Sequence, residues 1–174
     1  MKNLICIISG EPNSINSEII GKVLKIKKKF NRKNFFIIGN YKLIKKQFAL
    51  LKSKIKLKKI TKIENNDFKK NNLILDVPLI FKNPFKVSKK NKRPYLINCF
   101  KVAIDLAKKN KIAGFINCPI NKFETFGLKT MGITEFLAKR EKVFGKEAML
   151  IYNKSLSVSP ITTHIKIKNV PKKI

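Results

Sequence analysis

Two short, unbroken apolar runs near the start of the chain restrict its fold more than any other feature. Leu4-Ile5-Cys6-Ile7-Ile8 is ended by Ser9-Gly10, and Phe35-Phe36-Ile37-Ile38 is closed by Gly39. Runs this short and this apolar suit strands buried on both faces, the environment of a parallel sheet. Apolar residues at helical spacing follow each run: Ile19, Ile20, Val23 and Leu24 after the first, Ile44, Phe48 and Leu51 after the second. Ser17 is the expected N-cap of the first helix, with Glu18 in its first turn. The second helix is expected from about Tyr41 to Ser53. A β-α-β-α order predicts an α/β fold with a mostly parallel sheet flanked by helices.

The rest of the chain continues the pattern less regularly. Ile55, Leu57 and Ile60 alternate with lysines as in an edge strand, and Leu73-Ile74-Leu75-Asp76-Val77 reads as a further strand. Pro78, Pro84 and Pro94 punctuate a loop-rich stretch. A helix is expected from about Tyr95 to Asn110, with Ile97, Phe100, Ile104 and Ala107 on one face. Gly114-Phe115-Ile116-Asn117 is a strand leading into Cys118-Pro119-Ile120-Asn121-Lys122. A short helix capped by Thr134 is expected to run to Lys142. Met149 to Tyr152 and Leu156 to Thr162 read as two strands joined by a tight turn. Pro171 suits the first turn of a new helix, so the chain reads as an α/β protein interrupted partway. The boundaries are 1–125 for a first, incomplete α/β domain and 126–174 for the start of a second.

Charge is the next constraint. Forty residues are Lys or Arg and ten are Asp or Glu, a formal net charge of +30. Such an excess suits phosphate neutralisation, yet the only arginines are Arg32, Arg93 and Arg140. Base readout and bidentate phosphate clamps favour arginine. The lysines are spread along the chain with abundant Asn, Ile and Phe, all residues of AT-rich codons. A solvated lysine surface of compositional origin therefore accounts for the charge better than a nucleic-acid partner does. Attraction of anions, phosphorylated substrates included, is the functional alternative. No run approaches the roughly 18–20 apolar residues that span a bilayer, so no membrane partner is expected. Met1-Lys2-Asn3 leads straight into the first apolar run, with no long apolar region or small-residue cleavage site, so no secretory leader is expected. Cys6, Cys99 and Cys118 are odd in number, far apart and set in apolar runs. They read as buried thiols of a reducing, cytoplasmic compartment.

Three segments follow strands, where ligands of open α/β sheets collect. Ser9 to Glu18 is a strand–helix turn of the kind that holds an anion on backbone N–H groups; with one glycine, it also fits a plain connecting turn. Asn117 to Lys122, followed by Gly132-Ile133-Thr134-Glu135-Phe136, offers Asn, Lys, Thr and Glu for a phosphate, hydroxyl or carboxyl group, or forms a polar loop before a capped helix. Thr162-Thr163-His164 carries the only histidine. Alone, His164 fits a structural role, because metal sites need three or four protein ligands.

Together these segments resemble a known family. GEPNSINSEI is similar to the GEPAGIGPEI-type motif of 4-hydroxythreonine-4-phosphate dehydrogenases. CPINK resembles their GPINK, GITEFLA their GHTEFLA, and ITTHIKIKNVP their TTHIPLKDVP, all in family order. The resemblance covers nearly all of this chain, while the family continues well beyond it. It implies a fold like that of isocitrate and isopropylmalate dehydrogenases, with two α/β domains around a cleft in a homodimer. It implies oxidation of 4-phosphooxy-threonine by NAD or NADP with loss of CO₂, in pyridoxine and pyridoxal phosphate biosynthesis. It also implies a divalent metal (Zn, Mg or Co) acting as a Lewis acid and held by three histidines. On that pattern His164 matches the first metal histidine and Thr134 a substrate-contacting threonine, while Asn121 and Lys122 match a cleft-lining motif.

The departures from the pattern carry their own expectations. Ile133 stands where the family has a substrate-binding histidine, and isoleucine neither donates a hydrogen bond nor shares a proton. Cys118 replaces a glycine; Ser14 and Asn16 replace two more; Ser9 and Ser17 replace prolines. Ser and Asn accept turn conformations, so the first loop is expected to keep its shape. The other metal histidines and the basic phosphate-binding residues lie downstream in the family. The chain is therefore expected to be an N-terminal fragment with little dehydrogenase activity alone. Two alternatives remain: a basic, non-catalytic protein binding RNA or another polyanion, and a divergent member with a different substrate selected by Ile133.

Overall fold

The structure is a computed structural model and describes residues 4–26, 34–64, 66–68, 71–127, 132–162 and 165–172. It divides into two compact units, Met1–Thr125 and Phe126–Ile174. In the first unit the elements run β1 (Leu4–Ile8), α1 (Asn16–Ile26), β2 (Asn34–Gly39), α2 (Tyr41–Leu50), β3 (Lys58–Ile60), β4 (Leu73–Asp76), α3 (Lys89–Lys108) and β5 (Gly114–Asn117). A short helix, α4 (Lys122–Phe126), begins in this unit. The strands form one sheet in the order β3-β4-β2-β1-β5, and every pairing is parallel. The α/β expectation, a parallel sheet flanked by helices, is what the chain adopts.

The apolar runs place the core. In β2, Phe36, Ile37 and Ile38 are almost wholly buried, because both faces of a central parallel strand are covered. One face carries Ile5, Ile7, Phe35, Ile37 and Ile74, packed with Ile20 and Leu24 of α1 and Ile44 and Phe48 of α2. The long helix α3 packs against β1 and β2 and buries Tyr95, Leu96, Cys99, Phe100, Ala103 and Ile104. Asn40 caps α2 by accepting from the Leu43 amide at 2.9 Å, and Asp76 Oδ1 accepts from the Tyr41 amide at 2.7 Å. A carboxylate there also suits the positive end of the helix dipole. All three cysteines are free and buried, as their apolar settings predict.

Several expectations are corrected. Helix α1 begins at Asn16, so Ser17 is inside it and buried rather than capping it. Helix α2 ends at Leu50, with Lys52 beyond it in the left-handed region at φ 52°. Helix α3 begins at Lys89, six residues before Tyr95, and carries Pro94 inside it. Proline there removes the amide that would reach back one turn and crowds the carbonyl of Lys90, and the burial of Lys92, Tyr95 and Leu96 around it offsets that cost.

The second unit contains α5 (Ile133–Arg140) and a 3₁₀ turn over Ile167–Lys172. Gly132, not Thr134, is the N-cap of α5, and no side chain caps it. The two strands expected over 149–162 reduce to one antiparallel bridge between Ile151 and Val158. Pro171 sits within the 3₁₀ turn rather than opening an α-helix. Among the described residues, no helix is long and apolar enough to cross a membrane.

Candidate functional site

The sheet order creates a switch point beside β1. The chain leaves β1 toward β2 on one side and later returns to β5 on the other. Loops at the carboxyl ends of two strands that diverge in this way leave the crevice in which α/β proteins bind ligands. Here those loops are Ser9 to Ile15, from the first sequence motif, and Cys118 to Asn121, from the second.

The two loops are stitched directly together. The Glu11 amide donates to the Pro119 carbonyl at 3.0 Å, and Asn16 Nδ2 donates to the same oxygen at 2.8 Å. Gly10, at φ +72°, lies where a Cβ would collide with Asn16, Pro119 and Cys118. Ser14 Oγ donates to the Glu11 carbonyl at 2.6 Å. Asn13 makes a reciprocal pair with the Val87 backbone at 2.8 and 2.9 Å. Ser9 Oγ and Tyr95 OH form a buried hydrogen bond at 2.8 Å, and the Asn40 amide donates to the same phenol at 3.0 Å. Burial holds the Tyr95 phenol well above its ordinary pKa, so it stays protonated. The polar side chains of the first loop are thus engaged by the protein itself, and the loop acts as a brace for the switch point.

Asn121 and Lys122, the candidates of the second motif, stand at the start of α4. Asn121 Oδ1 accepts from the Glu124 amide at 3.1 Å, and its carbonyl accepts from the Thr125 amide at 3.0 Å. Asn121 is therefore a helix cap, a role its place in a polar loop did not announce. Lys122 is exposed at the first helical position. A cation at a helix N-terminus opposes the dipole, so its position is not explained by the stability of α4.

Beside them lies an ion cluster that sequence reading missed. Lys92 Nζ is 2.8 Å from Glu11 Oε1 and 2.6 Å from Glu124 Oε2. Burial alone would lower the Lys92 pKa, but its hydrogen bonds to Glu11 and Glu124 outweigh this and raise it. The hydrogen bond from Lys92 in turn lowers the pKa of Glu124. These three residues come from the first loop, the second turn of α3, and α4. No local spacing signals a contact between residues 81 positions apart; only the excess of lysine on the rest of the chain makes a buried one notable.

In the second unit, Ile133 and Thr134 are half-buried in the first turn of α5. Phe136 stacks on Phe126 with ring centroids 4.2 Å apart. His164 and its neighbour Thr163 lie outside the described residues. Among the described residues, no three of His, Cys, Asp and Glu gather as metal ligands. Burial also pushes the thiols of Cys6 and Cys99 up to about 12 and that of Cys118 to about 11, so none offers a thiolate near neutrality. The donors among the described residues do not by themselves fit a divalent metal.

The family model of the pyridoxal phosphate biosynthetic protein PdxA matches residues 31–174. The chain belongs to that family. It is 35% identical over 178 residues to a 4-hydroxythreonine-4-phosphate dehydrogenase of Aquifex aeolicus (strain VF5), covering 98% of this chain and 52% of that protein. It is 34% identical to the enzyme of the same name from Sulfurihydrogenibium sp. (strain YO3AOP1), again over 98% of this chain and 52% of the relative. Among solved structures, the 4-hydroxythreonine-4-phosphate dehydrogenase of Burkholderia phymatum superposes with a TM-score of 0.85 at 25% identity, over all of this chain and 54% of that one. The Klebsiella pneumoniae enzyme gives 0.81 at 25% identity, over 98% of this chain and 54% of its own. The chain thus spans about half the length of the relatives it matches, and the four motifs of this family member fall within that half.

Proposed function

We propose that these 174 residues supply the N-terminal half of a 4-hydroxythreonine-4-phosphate dehydrogenase. The enzyme would oxidise the secondary alcohol of 4-phosphooxy-L-threonine with NAD or NADP, and the product would lose CO₂. The observation that carries this reading is the meeting of the GEPNSIN and CPINK motifs at the carboxyl ends of β1 and β5, in a chain whose relatives bear that enzyme name.

Within the reading, each residue has a physical task. Lys122 presents an exposed ammonium without an ion-pair partner among the described residues, and attracts the phosphate dianion. Thr134 offers a hydroxyl in the first turn of α5, where the Glu135 carboxylate lies beside Gly132. Ile133 contributes an apolar wall where the resembling motif has histidine, so any proton it would handle must be carried elsewhere. Asn121 shapes the loop by capping α4. His164 would supply one metal ligand. A divalent metal (Zn, Mg or Co), when bound, would polarise the substrate oxygen, but its remaining ligands are not in this chain. The assembled enzyme would be a cytoplasmic homodimer, and the positive surface would steer the phosphorylated substrate.

The test is a reduction assay on the product of the complete reading frame, with 4-phosphooxy-L-threonine, either nicotinamide cofactor and each metal in turn. NAD(P)H formation that Lys122→Gln weakens mainly through KM supports the reading. No NAD(P)H under any combination overturns it.

A further inference from the structure

Helix α4 is held from outside by two adjacent residues of α3. Lys92 reaches the Glu124 carboxylate at 2.6 Å, and Arg93 Nε donates to the Thr125 carbonyl at 3.1 Å. Lys92 also binds Glu11 of the first loop at 2.8 Å, and both of these side chains are about nine-tenths buried, at 10% and 9% exposure. A helix of five residues is far below the roughly 12–15 that sustain an isolated helix in water. Lys122 at its first position weakens it further. The persistence of α4 therefore depends on its ties to α3 and on its Asn121 cap.

The chemistry of those ties is informative. Burying an ammonium is costly unless it is paired and hydrogen-bonded, and an apolar residue of similar volume often stabilises a fold equally well. What an apolar residue does not do is fix two carboxylates from different segments at hydrogen-bond distance. We propose that Lys92 is a positioning residue whose ammonium brackets Glu11 and Glu124, locking α4 to the first loop and so setting Asn121 and Lys122 at the switch point. What Asn121 and Lys122 bind there rests on the function proposed above; the placement itself does not.

Amide hydrogen exchange on the chain, read by NMR, tests this with Glu124→Gln, Lys92→Arg and Lys92→Met. Glu124→Gln keeps the shape and leaves Lys92 paired with Glu11. It should speed exchange of the Glu124 and Thr125 amides by about tenfold or more, the loss of a close charged contact, and by clearly more than it speeds exchange of the Ile7 and Ile37 amides, which register only the global loss of stability. Lys92→Arg, which keeps a donor for both carboxylates, should retain most of the protection that Lys92→Met loses. Wild-type exchange of α4 in Glu124→Gln would overturn the proposal. So would an equal acceleration of α4 and the central strands, because that marks a contribution to stability alone. A parallel titration of the product of the complete reading frame with O-phospho-L-threonine separates the two ideas: failure of that protein to bind it counts against the substrate reading, while the exchange data still decide the role of Lys92.

Discussion

Gly10→Ala is the substitution most damaging to the switch point for its size, and the structure says why in two separable parts. Gly10 sits at φ +72°, in the left-handed region. A methyl there would lie 2.5 Å from Asn16 Nδ2, 2.7 Å from the Pro119 carbonyl oxygen and 2.9 Å from Cys118 Cβ. Left-handed backbone costs an L-residue about 1–2 kcal/mol, and overpacking a fitted site costs about 1–3 kcal/mol. The expected loss is their sum, about 2–5 kcal/mol. Two other glycines of the same unit isolate the parts. Gly39 has no positive φ but would place its methyl 2.5 Å from Ser9 Oγ and 2.9 Å from Ser9 Cβ, so Gly39→Ala should cost only the crowding, about 1–3 kcal/mol. Gly114 has nothing within 4 Å and no positive φ; alanine there should be neutral or stabilise by up to about 1 kcal/mol. Urea titrations of the three variants measure the series, with unchanged slope and shifted midpoint. Gly10→Ala as stable as Gly114→Ala would refute the reasoning, and Gly39→Ala falling below Gly10→Ala would show that backbone conformation contributes nothing.

Further outcomes follow from the charged cluster, the thiols and a buried hydroxyl. Glu124 has its folded pKa lowered by Lys92, so its contribution is present above its ordinary value of 4.5 and lost as pH falls through the lower folded value. Lys92 is raised, so its contribution is complete below its ordinary 10.5 and lost as pH rises through the higher folded value. Thermal melts across a pH series should show both limbs, and Glu124→Gln should shrink the acid one. The three thiols, raised to about 12, 12 and 11, should resist a thiol reagent at mildly alkaline pH and all react once urea unfolds the chain; labelling of the folded chain, read by intact mass, would contradict their burial. Ser17 Oγ is buried without a hydrogen-bond partner among the described residues. Ser17→Ala should therefore stabilise the chain by about 1 kcal/mol, and a lowered urea midpoint would show that the hydroxyl has a partner after all.

The legible parts of the fold were those in which one local pattern decides. The strands β1 and β2 declare themselves because a central parallel strand needs apolar groups on both faces, and only a continuous run supplies them. Helix α3 begins six residues before the expected Tyr95 because Pro94, one of the prolines that punctuate the preceding stretch, falls inside the helix. Helix α4 has too few residues for any period to show, and its cap, Asn121, was read as ligand-binding polarity. Over 149–162 the apolar content suggested two strands, but Leu150, Ile151, Tyr152 and Leu156 are each at least 60% exposed in the second unit. High β-propensity without a buried face yields one bridge and no ladder. The site was legible as motifs and illegible as geometry: Glu11 belongs to a recognisable loop, but nothing near it names Lys92 or Pro119 as its partner.

The substitutions in the first loop become intelligible once backbone angles are considered with contacts. Ser14 and Asn16 stand where the resembling motif has glycines, yet neither has a positive φ in this chain. The left-handed conformation is confined to Gly10, the loop's one glycine. With no φ requirement at 14 and 16, a side chain is admissible, and these two become internal ties: Ser14 Oγ to the Glu11 carbonyl, Asn16 Nδ2 to the Pro119 carbonyl. Ser9, in place of a proline, regains an amide that extends the β1–β2 ladder to the Ile38 carbonyl at 3.0 Å. Ser17 is the exception, since it places a hydroxyl without a partner where a proline's ring would leave no polar atom. Of these ties, only Asn16 Nδ2 to the Pro119 carbonyl joins the first motif to the second; Ser14 closes the first loop on itself and Ser9 holds it to β2. The contact between the two motifs therefore rests on Asn16, the Glu11 amide and the close approach that Gly10 permits.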